Sequence, residues 1–440
     1  MKRLFLLVAA YALFVVSAYA QQDTATTPTN VKKGLTFGAV PAIAFDTDTG
    51  FKYGGLVNFY WYGDGHTYPE YMHSLYLEWS RTTKGSGINE IMYDSRYLIP
   101  KTRVQIDFGL FTEQGLDFYG FNGYDVNFDF DFTDNSGDIP NPNRMYYRYD
   151  RKVLRFTSDF QYELMGKKLA AFAGFGYFGN TIGPVDVADL NDGKDDDELL
   201  KDTSLLRNYL DWGVIPQDQG DGGNVSQFKL GLVFDTRDNE PNPMKGMWSE
   251  LLLTTAPSFS GNDYSYTQLS FTHRQYFTLV PNILSFAWRG AIQTKVAGDI
   301  PFYMLSYYQN SKQTREGLGG GKSLRGILRN RVIGDGVAFS NFEFRWKFLR
   351  TVLWKQNFYI ALNTFADMGQ VIQKYEVNTT GVPAAFLSEF KTDAEKLHIS
   401  YGAGLRFVLN ENFIVAIDYG MAPNKQDGTS GMYIGLNFLY

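Results

Sequence analysis

From about residue 35 onward this sequence alternates. Over 154–164, Leu154, Phe156, Phe160, Tyr162 and Leu164 fall on one parity, and Arg155, Thr157, Asp159, Gln161 and Glu163 on the other. Successive side chains of a β-strand point to opposite faces. Such a stretch is therefore a strand with one apolar face and one wet face. The segment 338–348 repeats the pattern, with Phe342, Phe344, Trp346 and Phe348 set against Asn341, Glu343, Arg345 and Lys347. A period of two leaves a soluble sandwich and a membrane barrel both open. Composition separates them. The chain carries 36 Phe, 30 Tyr and 44 Gly, and no apolar run after the first twenty residues is long enough for a spanning helix. Aromatic strands with a charged opposite face are how a transmembrane barrel is encoded. A formal net charge of −6 gives no reason to expect nucleic acid. With no Cys anywhere, disulfides, thiolate chemistry and lipid attachment to an N-terminal Cys are all excluded.

The start of the chain reads as an export signal: Lys2 and Arg3, an apolar run from Leu4 to Val16, then Ala18-Tyr19-Ala20 as a small-x-small cleavage site. That run falls short of the roughly 20 apolar residues a spanning helix needs. The expected organisation is a signal peptide (1–20), a short polar leader (21–33) and a barrel (34–440). Sixteen strand-like segments run from 35–45 to 431–440, an even number as single-chain bacterial barrels have. From a periplasmic start, the short turns at Ile99-Pro100-Lys101, Met165-Gly166-Lys167, Val280-Pro281-Asn282 and Asn410-Glu411-Asn412 fall on one side. The long connections 113–145, 180–225, 297–334 and 368–396 all fall on the other, as in outer-membrane barrels. The expected fold is thus all-β, a 16-stranded antiparallel transmembrane β-barrel of a bacterial outer membrane. In the last segment Ile434, Leu436, Phe438 and Tyr440 share one face, with Gly435 and Asn437 on the other. Pro41 lies in the first segment. Pro cannot donate to a ladder, so it marks either an edge strand or a strand end. On the first reading Pro41 on one side, with Gly435 and Tyr440 on the other, would flank a weak seam.

Three segments go beyond a generic barrel. Phe234-Asp235-Thr236-Arg237-Asp238-Asn239-Glu240-Pro241-Asn242-Pro243-Met244-Lys245-Gly246 is a polar turn stiffened by two Pro, in which Arg237 between Asp235 and Asp238 could form a local ion-pair clasp. Gly317-Leu318-Gly319-Gly320-Gly321-Lys322-Ser323-Leu324-Arg325-Gly326 sits in the long loop after the eleventh strand. Asn341-x-Glu343-x-Arg345 follows on strand twelve, and Phe365-Ala366-Asp367-Met368-Gly369 falls at the expected end of strand thirteen. In this order the set resembles the BamA/TamA outer-membrane assembly-factor superfamily, the bacterial surface antigen barrels, over about 34–440. The turn resembles the family's F-D-T-R-D-N…P…K-G, the loop its R-G-[FY] tip, with Ile327 in the aromatic position, and the final aromatic strand a C-terminal assembly signal. The resemblance implies that the loop folds into the lumen with Ser323, Leu324, Arg325 and Gly326 at its tip. It also implies that Arg325 pairs with Glu343 and Asp367, and that the barrel acts in insertion, assembly or translocation of outer-membrane proteins or lipids. The family's soluble POTRA domains have no counterpart here, since 21–33 is too short for a domain. A separate periplasmic subunit is therefore one expected partner, besides membrane lipid, client barrels and a second copy of the chain.

Other chemistries find less support. Gly321-Lys322-Ser323 lacks the first Gly of a phosphate-binding loop, Glu316 standing there instead. No G-x-S-x-G elbow occurs, and no nucleophile, base and orienter can be assembled, so neither an enzyme nor a cofactor is expected. The acidic run around Asp189, Asn191 and Asp195 misses the calcium-loop spacing by one residue. It stands as a weak cation candidate beside the plainer reading of a solvated loop. A passive porin-like channel and a lipid-handling or structural barrel in a partner complex remain the alternative functions.

Overall fold

The computed structural model describes residues 31–42, 44–46, 50–83, 85–133, 141–311 and 317–440. The expected signal peptide, and the leader up to residue 30, lie outside them. Sixteen strands follow in order: β1 in two pieces (Leu35–Pro41 and Ala44–Asp46), β2 (Gly50–Trp61), β3 (His73–Thr82), β4 (Gly87–Ile99), β5 (Thr102–Asp117), β6 (Arg148–Met165), β7 (Leu169–Pro184), β8 (Gly222–Asp235), β9 (Gly246–Ala256), β10 (Tyr266–Val280), β11 (Leu284–Gly298), β12 (Gly336–Leu353), β13 (Gln356–Gln373), β14 (His398–Leu409), β15 (Phe413–Met421) and β16 (Ser430–Leu436). Every ladder is antiparallel and joins neighbours in sequence, so the barrel wall is a run of hairpins. Among the described residues no helix is long and apolar enough to cross a membrane. The strands do the crossing, and those inside the sheet have their backbone groups satisfied by the strand on either side.

The parity read from the sequence is the parity of the wall. On β6 Leu154, Phe156, Phe160 and Tyr162 are exposed on the outside, while Arg155, Thr157, Asp159 and Gln161 are buried in the lumen. The strands run farther toward the long loops than expected; β13 reaches Gln373 rather than stopping near 367. The reason is that loops fill that end of the lumen. Inward Val371 packs there with Leu324, Ile327 and Phe339, so the polar-inside signal is lost before the strand ends. Asp367 accordingly sits in the body of β13, not at its end.

The last segment departs more sharply. β16 stops at Leu436 because Asn437 takes φ 68°, a left-handed conformation that Asn tolerates better than most residues. Its N–H donates to the Ile414 carbonyl at 2.8 Å. Beyond this break Phe438 and Tyr440 are buried, while Ile434 stays 68% exposed. The four residues do not share a face: Phe438 and Tyr440 turn into the lumen.

β1 is paired on one side only, to β2, and Pro41 sits opposite Gly55 just before the strand's interruption. Among the described residues the ladders of β1 run to β2 and that of β16 runs to β15. The two ends of the sheet meet through side chains. Val40 of β1, Leu436 of β16, and Leu409 and Val415 pack around Tyr60, Tyr62 and Phe413. Gly38 lies so close to the Phe413 ring that a Cβ there would stand 2.4 Å from it. At the rim that carries the short turns the Tyr60 hydroxyl donates to the Asn412 carbonyl (3.2 Å), and the Asn412 amide to the Tyr62 hydroxyl (2.7 Å).

Candidate functional site

The loop between β11 and β12 folds into the lumen and brings Arg325 against the wall. The Arg325 guanidinium grips Asp367 of β13 through Nε and Nη2, both at 2.9 Å, and its main-chain N–H donates to the same carboxylate at 3.0 Å. Nη1 donates to Glu343 of β12 at 2.6 Å and lies 3.6 Å from Asp418 of β15. The ring of Phe365 covers its face at 3.6 Å. Glu343 also accepts from Arg345 at 2.8 Å, and Asp418 is held by Arg406 through two bonds of 2.8 and 2.9 Å. Arg325, Glu343 and Asp367 are completely buried. A guanidinium always carries its charge and offers a planar fork. Carboxylates from three strands therefore hold it in one position.

The neighbouring tip residues explain why the loop reaches that position. Ser323 closes a tight turn: its hydroxyl donates to the Gly319 carbonyl (3.1 Å) and accepts the Gly319 N–H (2.9 Å). Leu324 and Ile327 are buried among apolar residues. Gly326 has φ 97° and lies against the β15 backbone at Gly420 and Met421, where a Cβ would come within 2.5 Å. Only Gly suits both the angle and the approach. The Gly326 N–H donates to the Tyr433 hydroxyl of β16 at 2.9 Å, so the tip touches the last strand as well.

The turn after β8 forms a crossbar at the mouth on the short-turn side. Arg237 clasps Asp235 through Nε (2.9 Å) and Nη2 (2.5 Å) and stacks on Trp248 at 4.1 Å. Asp238 does not join this clasp; its carboxylate caps the N–H groups of Met244 and Lys245. From the turn Glu240 reaches Arg103 of β5 (2.7 Å) and Arg96 of β4 (3.3 Å). In the other direction the Asn242 amide donates to the Tyr359 hydroxyl of β13 at 2.6 Å. The chain end adds a second obstruction. The Tyr440 hydroxyl donates to the carbonyls of Ala287 and Asn341, both at 3.0 Å, and the Tyr440 main-chain oxygen accepts from Arg345 at 2.7 Å. At the opposite end, the four long connections pack a common, largely aromatic core that includes Phe118, Phe121, Tyr147, Tyr209, Phe302 and Val382.

Gly435 lies in β16 opposite Ala416. On the acidic loop, the Asn191 side chain is committed to Leu200, donating to its carbonyl and accepting its N–H. Among the described residues no three acidic, His or Cys groups converge as a cation site. Asp418, Arg406, Gly420 and Tyr433 escaped the sequence reading. Strand parity places Asp418 and Arg406 on the wet face, a signal they share with many lumen residues that touch nothing of the loop.

The sequence matches the Omp85 superfamily domain over residues 101–438. Among solved structures, BamA from Haemophilus ducreyi lacking POTRA domains 1–3 superposes with TM-score 0.51 at 14% identity, over 92% of this chain and 70% of that one. CdiB from Escherichia coli gives TM-score 0.54 at 10% identity, over 92% of this chain and 63% of that one, less than two thirds of its length. No curated protein matches.

Proposed function

Because the chain belongs to the Omp85 superfamily, we propose that it inserts, assembles or translocates other outer-membrane components, proteins first and lipids second, through the wall of the barrel and not down its lumen. The observation that carries this reading is the contrast between seam and lumen. The lumen is crossed by the Arg325 loop, the crossbar, the terminal aromatics and the core formed by the long loops, whereas the ladders among the described residues join β1 to β2 and β16 to β15. An unpaired strand edge is a template for another strand, and a join made of side chains costs less to part than one made of a full ladder. The pinned loop keeps the barrel's cross-section fixed while the seam moves. The mechanism is physical, with no bond made or broken. Its partners are membrane lipid, a client strand and a separate periplasmic subunit. We further propose that 1–20 is removed on export and that the mature chain starts near Gln21, which the mass of the purified protein checks.

The deciding test is depletion in the host, with other barrel proteins and surface lipids quantified side by side. Complementation uses wild type or Arg325→Ala. Loss of other barrels, restored by wild type and not by the variant, supports assembly through the pinned loop. Intact barrels with disturbed lipid asymmetry transfer the proposal to lipid handling. Neither change, accompanied by reduced solute uptake, rejects it in favour of a channel.

A further inference from the structure

The β12–β13 hairpin continues past both neighbouring strands. The last pair of β12 with β11 is Trp346 with Leu284, closed by the Lys347 N–H donating to the Ile283 carbonyl at 2.8 Å. β12 nevertheless runs on to Leu353, paired only with β13. On the other side β13 meets β14 only from Phe358 onward. Every residue from Phe348 to Lys355 is exposed, unlike the wall, where one face of each strand is buried. Trp354, at the tip, is 85% exposed. The two turn residues, Trp354 and Lys355, have φ 49° and 61°. Hairpins usually fill those positions with Asn and Gly, and such strain persists where a site needs it.

Three observations say what this tip would hold. Among the described residues its strand edge from Phe348 to Leu353 has no partner on the β11 side, so alternate N–H and carbonyl groups there are available to an added strand. Leu349 and Leu353 pair with Ile360 and Gln356 on the outward parity, whereas Arg350 and Val352 face the mouth. No acidic residue lies between Phe348 and Gln356, and an opposite charge directly across from Arg350 would be favourable. The tip and base of the hairpin are also tied to the segment before β1 and to the connection between β2 and β3. The Lys355 carbonyl accepts from Lys32 at 2.7 Å, and the Asn357 amide donates to the Tyr68 hydroxyl at 2.8 Å.

We infer that the free edge Phe348–Leu353 is a strand-addition site for an extended segment of a periplasmic polypeptide, alternating apolar and acidic residues, with an acid opposite Arg350. The inference rests on the proposed function in that it supplies a contact for a periplasmic partner, but it is tested on purified protein, independently of any assembly phenotype. The chain has no Cys, so Thr351→Cys carries one bimane label in full-length protein reconstituted into phosphatidylcholine bilayers. The probes are ten-residue peptides alternating Val with Glu or Val with Lys. The Val-Glu peptide should shift the label saturably and bind about fivefold more tightly than Val-Lys, the scale of one opposed charge pair. In Arg350→Glu carrying the same label the preference should reverse. Equal binding of both peptides, no saturable shift, or unchanged preference in Arg350→Glu overturns the inference. Quenching of the label by brominated acyl chains also overturns it, since lipid would then cover the tip.

Discussion

Arg325 shows what one residue contributes when it is shared by three strands. Removing the guanidinium leaves Glu343 and Asp367 charged, buried and short of a partner. Breaking such a pair from one side costs about 3–5 kcal/mol. Arg325→Ala should therefore lower the unfolding free energy of the detergent-folded barrel, read from its urea titration, by that order. Arg325→Lys should fall between, keeping the charge but losing the two-pronged grip on Asp367. Equal stability of all three proteins would mean that the pin bears no strain. Part of this site was legible beforehand: strand parity put Glu343 on the wet face, while its pairing with Arg325, and that of Asp367, came only from the resemblance to the family. The contribution of Asp418, 3.6 Å away, was not legible. It comes from a strand whose angular position around the barrel no local pattern encodes.

Among the elements, the turn 236–245 has the least predictable role. Its sequence announces a rigid polar turn, and the Arg237–Asp235 clasp lies within reach of that reading. That Glu240 would meet Arg96 and Arg103 depends on the diameter of the mouth, which is a property of the whole barrel. Glu240→Ala should release one end of this crossbar and raise the conductance of the purified protein in planar bilayers, with little change in stability, because the Glu240 pairs are part-exposed and ion pairs of that kind contribute about 0–1 kcal/mol. An unchanged conductance would assign the block to the loops alone. Tyr440→Phe isolates the second obstruction. It leaves the carbonyls of Ala287 and Asn341 without the hydroxyl and should cost about 1–3 kcal/mol by the same urea measurement. The inward turn of Phe438 and Tyr440 defeats period-two reasoning for a simple cause: one left-handed residue, Asn437, resets the parity of everything after it.

For the whole molecule, sequence and structure agree on sixteen strands, on which side carries the long loops, and on which parity faces outward. Those properties are repeated many times along the chain, so an error in one strand is corrected by the next. Whether the lumen is open is decided once, by contacts between distant segments, which no repeating pattern encodes. The wild-type protein should conduct in small, irregular events; a large steady conductance of porin type would contradict the obstructed lumen.

The seam has a consequence for how the barrel comes to exist. Every ladder in the wall joins chain neighbours, so the hairpins can form one after another at little entropic cost. The contacts of Lys32 with Lys355, and of Tyr60 with Asn412, span most of the chain. Closing a loop of that length is the most demanding encounter available to it, and non-local contacts set the pace of folding. The join is thus expected to be the final, rate-limiting event of maturation. A variant that weakens it, such as Asn412→Ala, should slow the appearance of folded barrel while leaving the hairpins that precede it untouched.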